Sequence, residues 1–115
     1  MALANLKDDD SSADLAQMVK SAREASDFLK ALAHESRLLI LCDLSDGEKS
    51  VGELEDFLSM RQSTVSQQLA RLRLEGLVTT RREGKTIYYS IAREDVRTIL
   101  ATIYNVFCKG KRHRR

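Results

Sequence analysis

Cys42 and Cys108 are the chain's only thiols and His34 and His113 its only imidazoles. Zinc asks for about four N, S or O ligands and soft metals prefer several thiolates, so this set builds neither kind of site easily. His34 reads as a helix-junction residue and His113 as part of a terminal tail. A thiolate can attack a disulfide or persulfide sulfur, and a second thiolate can then close a bridge. The rival reading is packing: cysteine is among the most buried residue types, and Cys42 stands beside Leu38 and Leu41 on one helix face. Sequence gives no thiol pKa, on which reactivity depends. A thiol-disulfide oxidoreductase would show Cys-x-x-Cys, which is absent, as are a glycine-rich phosphate loop, a paired catalytic carboxylate and a nucleophile-base constellation. The chain therefore reads as a binding protein, not an enzyme, and no cofactor is expected.

A second set of residues has chemistry for duplex DNA. Gln62, Ser63, Thr64, Ser66 and Gln67 stand near the start of one helix, with Gln68 close by, Arg71 and Arg73 farther along, and Arg61 just ahead. Gln pairs bidentately with adenine and Ser or Thr serves several bases, while Arg meets phosphate. The segment Arg81-Arg82-Glu83-Gly84-Lys85 then makes a basic turn that would set Arg82 and Lys85 against the backbone or in the neighbouring minor groove. Charge agrees with this placement. Residues 1–60 hold 6 Lys or Arg against 13 Asp or Glu, and residues 61–115 hold 13 against 4, so a net charge of +2 conceals a strongly basic second half. Clustered positive charge is the footprint of a nucleic-acid surface. A domain of the same shape serving only protein interaction is the competing reading, and it would lack salt-sensitive, sequence-specific duplex binding.

These side chains need a scaffold, and one mostly helical domain is expected from the length, the absence of Trp and Pro, and the runs of Leu, Ala, Glu, Lys and Arg. Residues 1–13 read as a flexible acidic tail, 14–109 as the domain and 110–115 as a basic tail. A first helix from about Asp14 carries Leu15, Met18, Val19, Ala22, Ser26, Leu29 and Leu32 as one buried stripe. A second, about Glu35 to Ser45, has Leu38, Leu41 and Cys42 on one face and stops at Asp46-Gly47. Ser50 and Glu53 make a capping box for a third, with Leu54, Phe57 and Leu58 inward. The fourth, about Gln62 to Glu75, buries Val65, Leu69 and Leu72. Leu77 and Val78 begin a hairpin that turns at Glu83-Gly84 and returns with Ile87, Tyr89 and Ile91 on one face. A fifth helix, about Arg93 to Lys109, has more apolar surface than one small core needs. No segment approaches the ~18 apolar residues of a membrane span and no apolar leader is visible, so a cytoplasmic location is expected.

Leu32-Ala33-His34-Glu35-Ser36-Arg37, Val51-Gly52-Glu53-Leu54, Ser63-Thr64-Val65-Ser66-Gln67-Gln68-Leu69 and Gly84-Lys85-Thr86-Ile87-Tyr88-Tyr89 together resemble the winged-helix repressors of the ArsR/SmtB family, over roughly residues 15 to 108. The resemblance implies five helices and a two-stranded wing, a homodimer through the first and last helices, and an operator, an inverted repeat, released when an effector arrives. Arg61 departs from the family's usual serine cap and predicts a poorer one. Ser50 occupies the position of the family's third-helix metal cysteine, and the last helix has no histidine before the tail, so neither family metal site is supported. The two cysteines instead resemble the BigR/SqrR dithiol branch, through Leu41-Cys42-Asp43-Leu44, Ser50-Val51-Gly52-Glu53-Leu54-Glu55 and Tyr104-Asn105-Val106-Phe107-Cys108. That resemblance implies a persulfide or polysulfide effector that bridges Cys42 and Cys108 and releases the DNA. The alternatives are metal, peroxide and general thiol oxidation.

Overall fold

The computed structural model describes residues 11–108. The chain divides into two compact units, residues 1–30 and 31–115. Both expected tails fall largely outside the described residues, although Ser11–Ala13 are already helical.

Helix α1 spans Ser11–Leu32, with Asp14 in its first turn and Lys30 in its last, charges that suit the two ends of a helix dipole. Its apolar stripe does not behave as a core stripe. Leu15, Val19 and Leu29 are 52%, 44% and 57% exposed, and only the last turn, Ala31 and Leu32, is buried. The periodicity correctly marks an apolar face, but in the single chain that face is left at the surface.

The second unit is built on α2 (Glu35–Leu44), β1 (Lys49–Ser50), α3 (Val51–Leu58), α4 (Gln62–Leu74), β2 (Val78–Glu83), β3 (Thr86–Ile91) and α5 (Glu94–Phe107). His34 caps α2, its Nδ1 accepting from the Ser36 N–H at 3.2 Å, as a junction residue should. The inward face of α2 is Ile40, Leu41 and Leu44, all fully buried. Cys42, which the rival packing reading would bury beside Leu38 and Leu41, is exposed. Ser50 caps α3 and exchanges bonds with Glu53 in a complete capping box. Leu54 points inward, but Phe57 is 75% exposed, so it is not the core residue its spacing suggested.

The turn between α3 and α4 is short. Ser59 adopts a left-handed conformation (φ 55°) and donates its N–H to the Glu55 carbonyl, which closes α3 and redirects the chain. Helix α4 buries Val65, Leu69 and Leu72 at the anticipated spacing. It ends in a Schellman motif: Gly76 has φ 76°, the Gly76 N–H reaches the Arg73 carbonyl at 3.0 Å, and the Leu77 N–H reaches the Leu72 carbonyl at 2.9 Å.

β2 and β3 pair antiparallel with Glu83 opposite Thr86, leaving Gly84-Lys85 as a two-residue loop. Gly84 supplies the positive φ (63°) that the first position of such a loop demands. The sheet has three strands, in order β1-β3-β2. The added strand is only Lys49-Ser50, opposite Tyr89 and Tyr88; it is too short to leave a period in the sequence. Among the described residues, no helix is long and apolar enough to cross a membrane.

Candidate nucleic-acid interface and thiol site

The two-turn packing of α3 against α4 rests on Leu54, Val65 and Leu69, which are wholly buried. This fixes α4 with its opposite face outward. Arg61, Gln62, Ser63, Ser66, Gln67 and Arg73 are exposed and Thr64 is half-buried, so donors and acceptors at the amino end of α4 face solvent together. Arg61 stands at the N-cap and makes no side-chain cap bond, the poorer cap expected. The exposed Arg61 thus adds a cation at the helix end, where peptide N–H groups already favour an anion.

Two of the expected DNA residues are committed elsewhere in part. Arg71 pairs with Glu75 one turn on, at 3.3 Å. Gln68 turns inward, its Oε1 accepting from Arg37 Nη1 at 2.9 Å. Arg37 is buried and its Nε also donates to the Ala31 carbonyl. One guanidinium thus joins the end of α1 to the middle of α4. Burial, first, and the nearby Arg71 charge, second, lower its pKa, while Glu75 opposes them; the cation is maintained at neutral pH because arginine starts so high. Sequence reasoning missed this role for Arg37. The signal was present: Arg37, Leu41 and Leu44 lie at helical spacing, so the arginine sits on the apolar stripe.

The wing sorts its cations. Arg81 Nε donates to Glu48 at 2.9 Å, its Nη1 to Glu83 at 2.9 Å, and its guanidinium lies 4.8 Å from the Tyr88 ring centroid. These bonds raise the Arg81 pKa still further and hold the Glu48 carboxyl below the usual range. Arg81 therefore braces the hairpin on the loop before β1. Arg82 and Lys85 are exposed, with no ion pair among the described residues, and remain available to an anionic partner.

Cys42 lies at a groove built from other elements. A groove of about 610 Å³ opens between α2, α3 and α5, with Cys42 in its wall along with Phe57, Leu58, Leu100, Tyr104 and Arg97. Cys108 caps α5 one turn beyond Tyr104, its N–H on the Tyr104 carbonyl at 2.8 Å. Both thiols are free and exposed. The Cys42 pKa is raised, by burial against the groove walls first, then by the Cys108 charge, then by Asp46. The Cys108 charge thus acts on Cys42, although one thiol stands on α2 and the other at the end of α5. Two further links hold α2 there: Arg97 Nη1 donates to the Ser45 carbonyl at 2.9 Å, and Lys49 Nζ reaches the Asp43 carbonyl at 2.9 Å and its Oδ1 at 3.3 Å. Among the described residues, no three His, Cys, Asp or Glu side chains gather as metal ligands. His113 lies outside the described residues.

Comparison with known proteins agrees with this geometry. Residues 34–80 match the model of the bacterial regulatory protein arsR family. The chain is 48% identical over 94 residues to the biofilm growth-associated repressor of Agrobacterium fabrum, covering 82% of this chain and 80% of that one. The reduced structure of HlyU from Vibrio cholerae superposes with a TM-score of 0.77 at 43% identity, covering 81% of this chain and 98% of HlyU. The transcriptional repressor BigR from Xylella fastidiosa gives 0.76 at 41% identity, over 82% of this chain and 96% of BigR. With its helix-turn-helix, its braced basic hairpin and relatives this similar over most of its length, the chain belongs to the ArsR family of bacterial regulatory proteins.

Proposed function

We propose that this protein is a homodimeric repressor that occupies an inverted-repeat operator while Cys42 and Cys108 are reduced and releases it when sulfane sulfur bridges them. The observation that carries the reading is a pair of free, exposed thiols, one on α2 and the other at the end of α5, with the Cys108 charge contributing to the raised pKa of Cys42. Relatives named as repressors favour repression over activation, though HlyU of Vibrio cholerae is named an activator. The exposed apolar side chains of α1 and the end of α5, including Val106 and Phe107, supply the area a second copy would cover.

The amino end of α4 enters the major groove, where Gln62, Ser63, Thr64, Ser66 and Gln67 read base edges. Arg61, Arg71, Arg73, Arg82 and Lys85 meet phosphates. Gln68 is reassigned from reading to positioning, because its amide oxygen already serves Arg37 and bidentate pairing with adenine needs that oxygen.

The thiol step runs in balance. The Cys42 thiolate attacks the outer sulfur of R–S–SH; the S–S bond of the donor breaks and RS⁻ leaves, taking a proton. Cys108 acquires a sulfur likewise from a second donor molecule. The Cys108 persulfide anion then attacks the Cys42 sulfur of Cys42–S–SH, forming a three-sulfur bridge and expelling HS⁻. A direct disulfide requires Cα atoms about 4.4–6.8 Å apart, and extra sulfur relaxes that demand. Bridging fixes α2 to α5 and changes the presentation of α4 to DNA; a coupling of about 1–3 kcal/mol changes affinity 5- to 150-fold.

Selection of binding sites from random duplexes, followed by affinity measurement across salt, tests the DNA half. One inverted repeat should emerge, and Arg82→Ala or Lys85→Ala should each lower the salt slope by about one unit. In a reporter strain Cys42→Ser and Cys108→Ser should repress but fail to respond to persulfide. Inducible single-serine variants would refute the bridge.

A further inference from the structure

The charges around the groove say more about what enters it. Its walls are largely apolar, and Phe57, three-quarters exposed, presents a ring to the opening. Two kinds of charge interrupt that lining. Asp46, at the end of α2, lies close enough to Cys42 to raise the thiol's proton affinity. Arg97 on α5 is anchored through Nη1 to the Ser45 carbonyl, with Nε 3.8 Å from Glu94. Its position is therefore preset, and its Nη2 makes no hydrogen bond among the described residues. Asp46 and Arg97 form no ion pair with each other among the described residues. An anion, a cation and a nucleophile thus share one opening, with a volume in the ~300–1,000 Å³ range of small-molecule sites.

Resting on the sulfur-sensing reading above, we propose that this groove is the docking site for the effector and that it selects an amino-acid-type persulfide, whose ammonium pairs with Asp46 and whose carboxylate pairs with Arg97 while the outer sulfur is offered to Cys42. An inorganic polysulfide is a small dianion. It gains Arg97 but meets Asp46 beside the attacking thiol, and has no apolar stem for the Phe57 and Leu58 wall. A zwitterion satisfies both charges at once, and its methylene covers apolar surface. The chemistry at sulfur is unchanged: Cys42 takes the outer sulfur, and the amino-acid thiol leaves with the proton.

The test is a set of anaerobic rate constants for Cys42 modification, read by quenched intact mass on the full chain. The probes are cysteine persulfide, its N-acetyl derivative, its carboxamide derivative and sodium tetrasulfide. Ratios between probes are compared, because they cancel any change in thiolate population caused by a substitution. Asp46→Asn should lower the preference for cysteine persulfide over both the N-acetyl form and tetrasulfide by about two- to five-fold, the effect of an exposed ion pair. Arg97→Gln should lower the preference for cysteine persulfide over its carboxamide by a similar factor. Asp46 is exposed and makes no fold-sustaining bond among those described, so this variant remains informative if Arg97→Gln unfolds. Persulfides that modify wild type with ratios unchanged in both variants overturn groove selection. A wild-type Cys42 left unmodified by every probe overturns the sulfur-sensing reading, and this inference with it.

Discussion

Arg37→Met cuts the link between α1 and α4 while keeping an unbranched apolar stem. Arg37 is 8% exposed, and its charged hydrogen bonds include those to the Ala31 carbonyl and to Gln68 Oε1. At about 1.5–3 kcal/mol for each bond to a charged group, the gross loss is about 3–6 kcal/mol. Removing the cation also removes its desolvation penalty, which is the largest influence on its pKa. That relief amounts to several kcal/mol for a buried ion. Water can reach half-buried Gln68, whereas the carbonyl of buried Ala31 is left without its donor. A net destabilisation of about 2 kcal/mol is expected, which for a domain of this size lowers Tm by about 8–16 °C. With no Trp in the chain, urea unfolding followed by far-UV circular dichroism is the suitable assay, under reduction and at several protein concentrations because a dimer's midpoint depends on concentration. Arg37→Lys should not restore stability, since one ammonium cannot reproduce a guanidinium fork spanning two acceptors. A cycle with Gln68→Leu should show a coupling of about 1 kcal/mol. Folded Arg37→Met should bind operator more weakly with an unchanged salt slope, because Arg37 faces Gln68 and not phosphate. Stability within about 0.5 kcal/mol of wild type, or a cycle that is simply additive, would refute the reasoning.

Gly84→Ala should weaken operator binding more than Gly84→Asn: nothing crowds a Cβ there, but φ is +63°, a conformation that costs a non-glycine residue about 1–2 kcal/mol and that Asn tolerates better; equal affinities by fluorescence anisotropy would contradict this. Ser50→Ala removes one half of the α3 capping box and should cost about 1 kcal/mol in thermal unfolding. Cys42 should alkylate with iodoacetamide at a rate still rising with pH where a free cysteine has levelled, and Cys108→Ser should shift that curve to lower pH, since the Cys108 charge raises the Cys42 pKa. The sign for stability is linked: the fold favours the protonated Cys42, so this margin is present below the thiol range and lost as pH climbs through the raised pKa.

Elements with a strong local cause were legible in the sequence. The Ser50-Glu53 capping box, the Val65, Leu69, Leu72 stripe and the glycines ending α4 and turning the hairpin each carry their reason within a few residues, and each appears as expected. Side-chain facing was less legible where the apolar pattern exceeds one core. Phe57 and the α1 stripe have helical spacing but stay at the surface, because periodicity marks an apolar face without saying what covers it. The rival reading of Cys42 as buried packing fails for a related reason: Leu38, Leu41 and Cys42 are adjacent on the helix, yet the buried arc is centred on Ile40, Leu41 and Leu44. Pairings between distant residues, Arg37 with Gln68 and Arg81 with Glu48, leave no mark in local spacing. Among the candidate DNA residues, the exposed Gln62, Ser63, Ser66 and Gln67 were placed by the helix phase alone, whereas the inward turn of Gln68 required knowledge of its partner.

The central claim is that bridging Cys42 and Cys108 controls DNA affinity. Its most direct measurement is operator affinity of one anaerobic preparation, reduced and after glutathione persulfide, with intact mass and peptide mapping on the same samples and glutathione disulfide as control. The account predicts a 5- to 150-fold loss of affinity that tracks a Cys42-to-Cys108 sulfur bridge and is absent with the disulfide control. A fully bridged protein that binds its operator as tightly as the reduced one would contradict it.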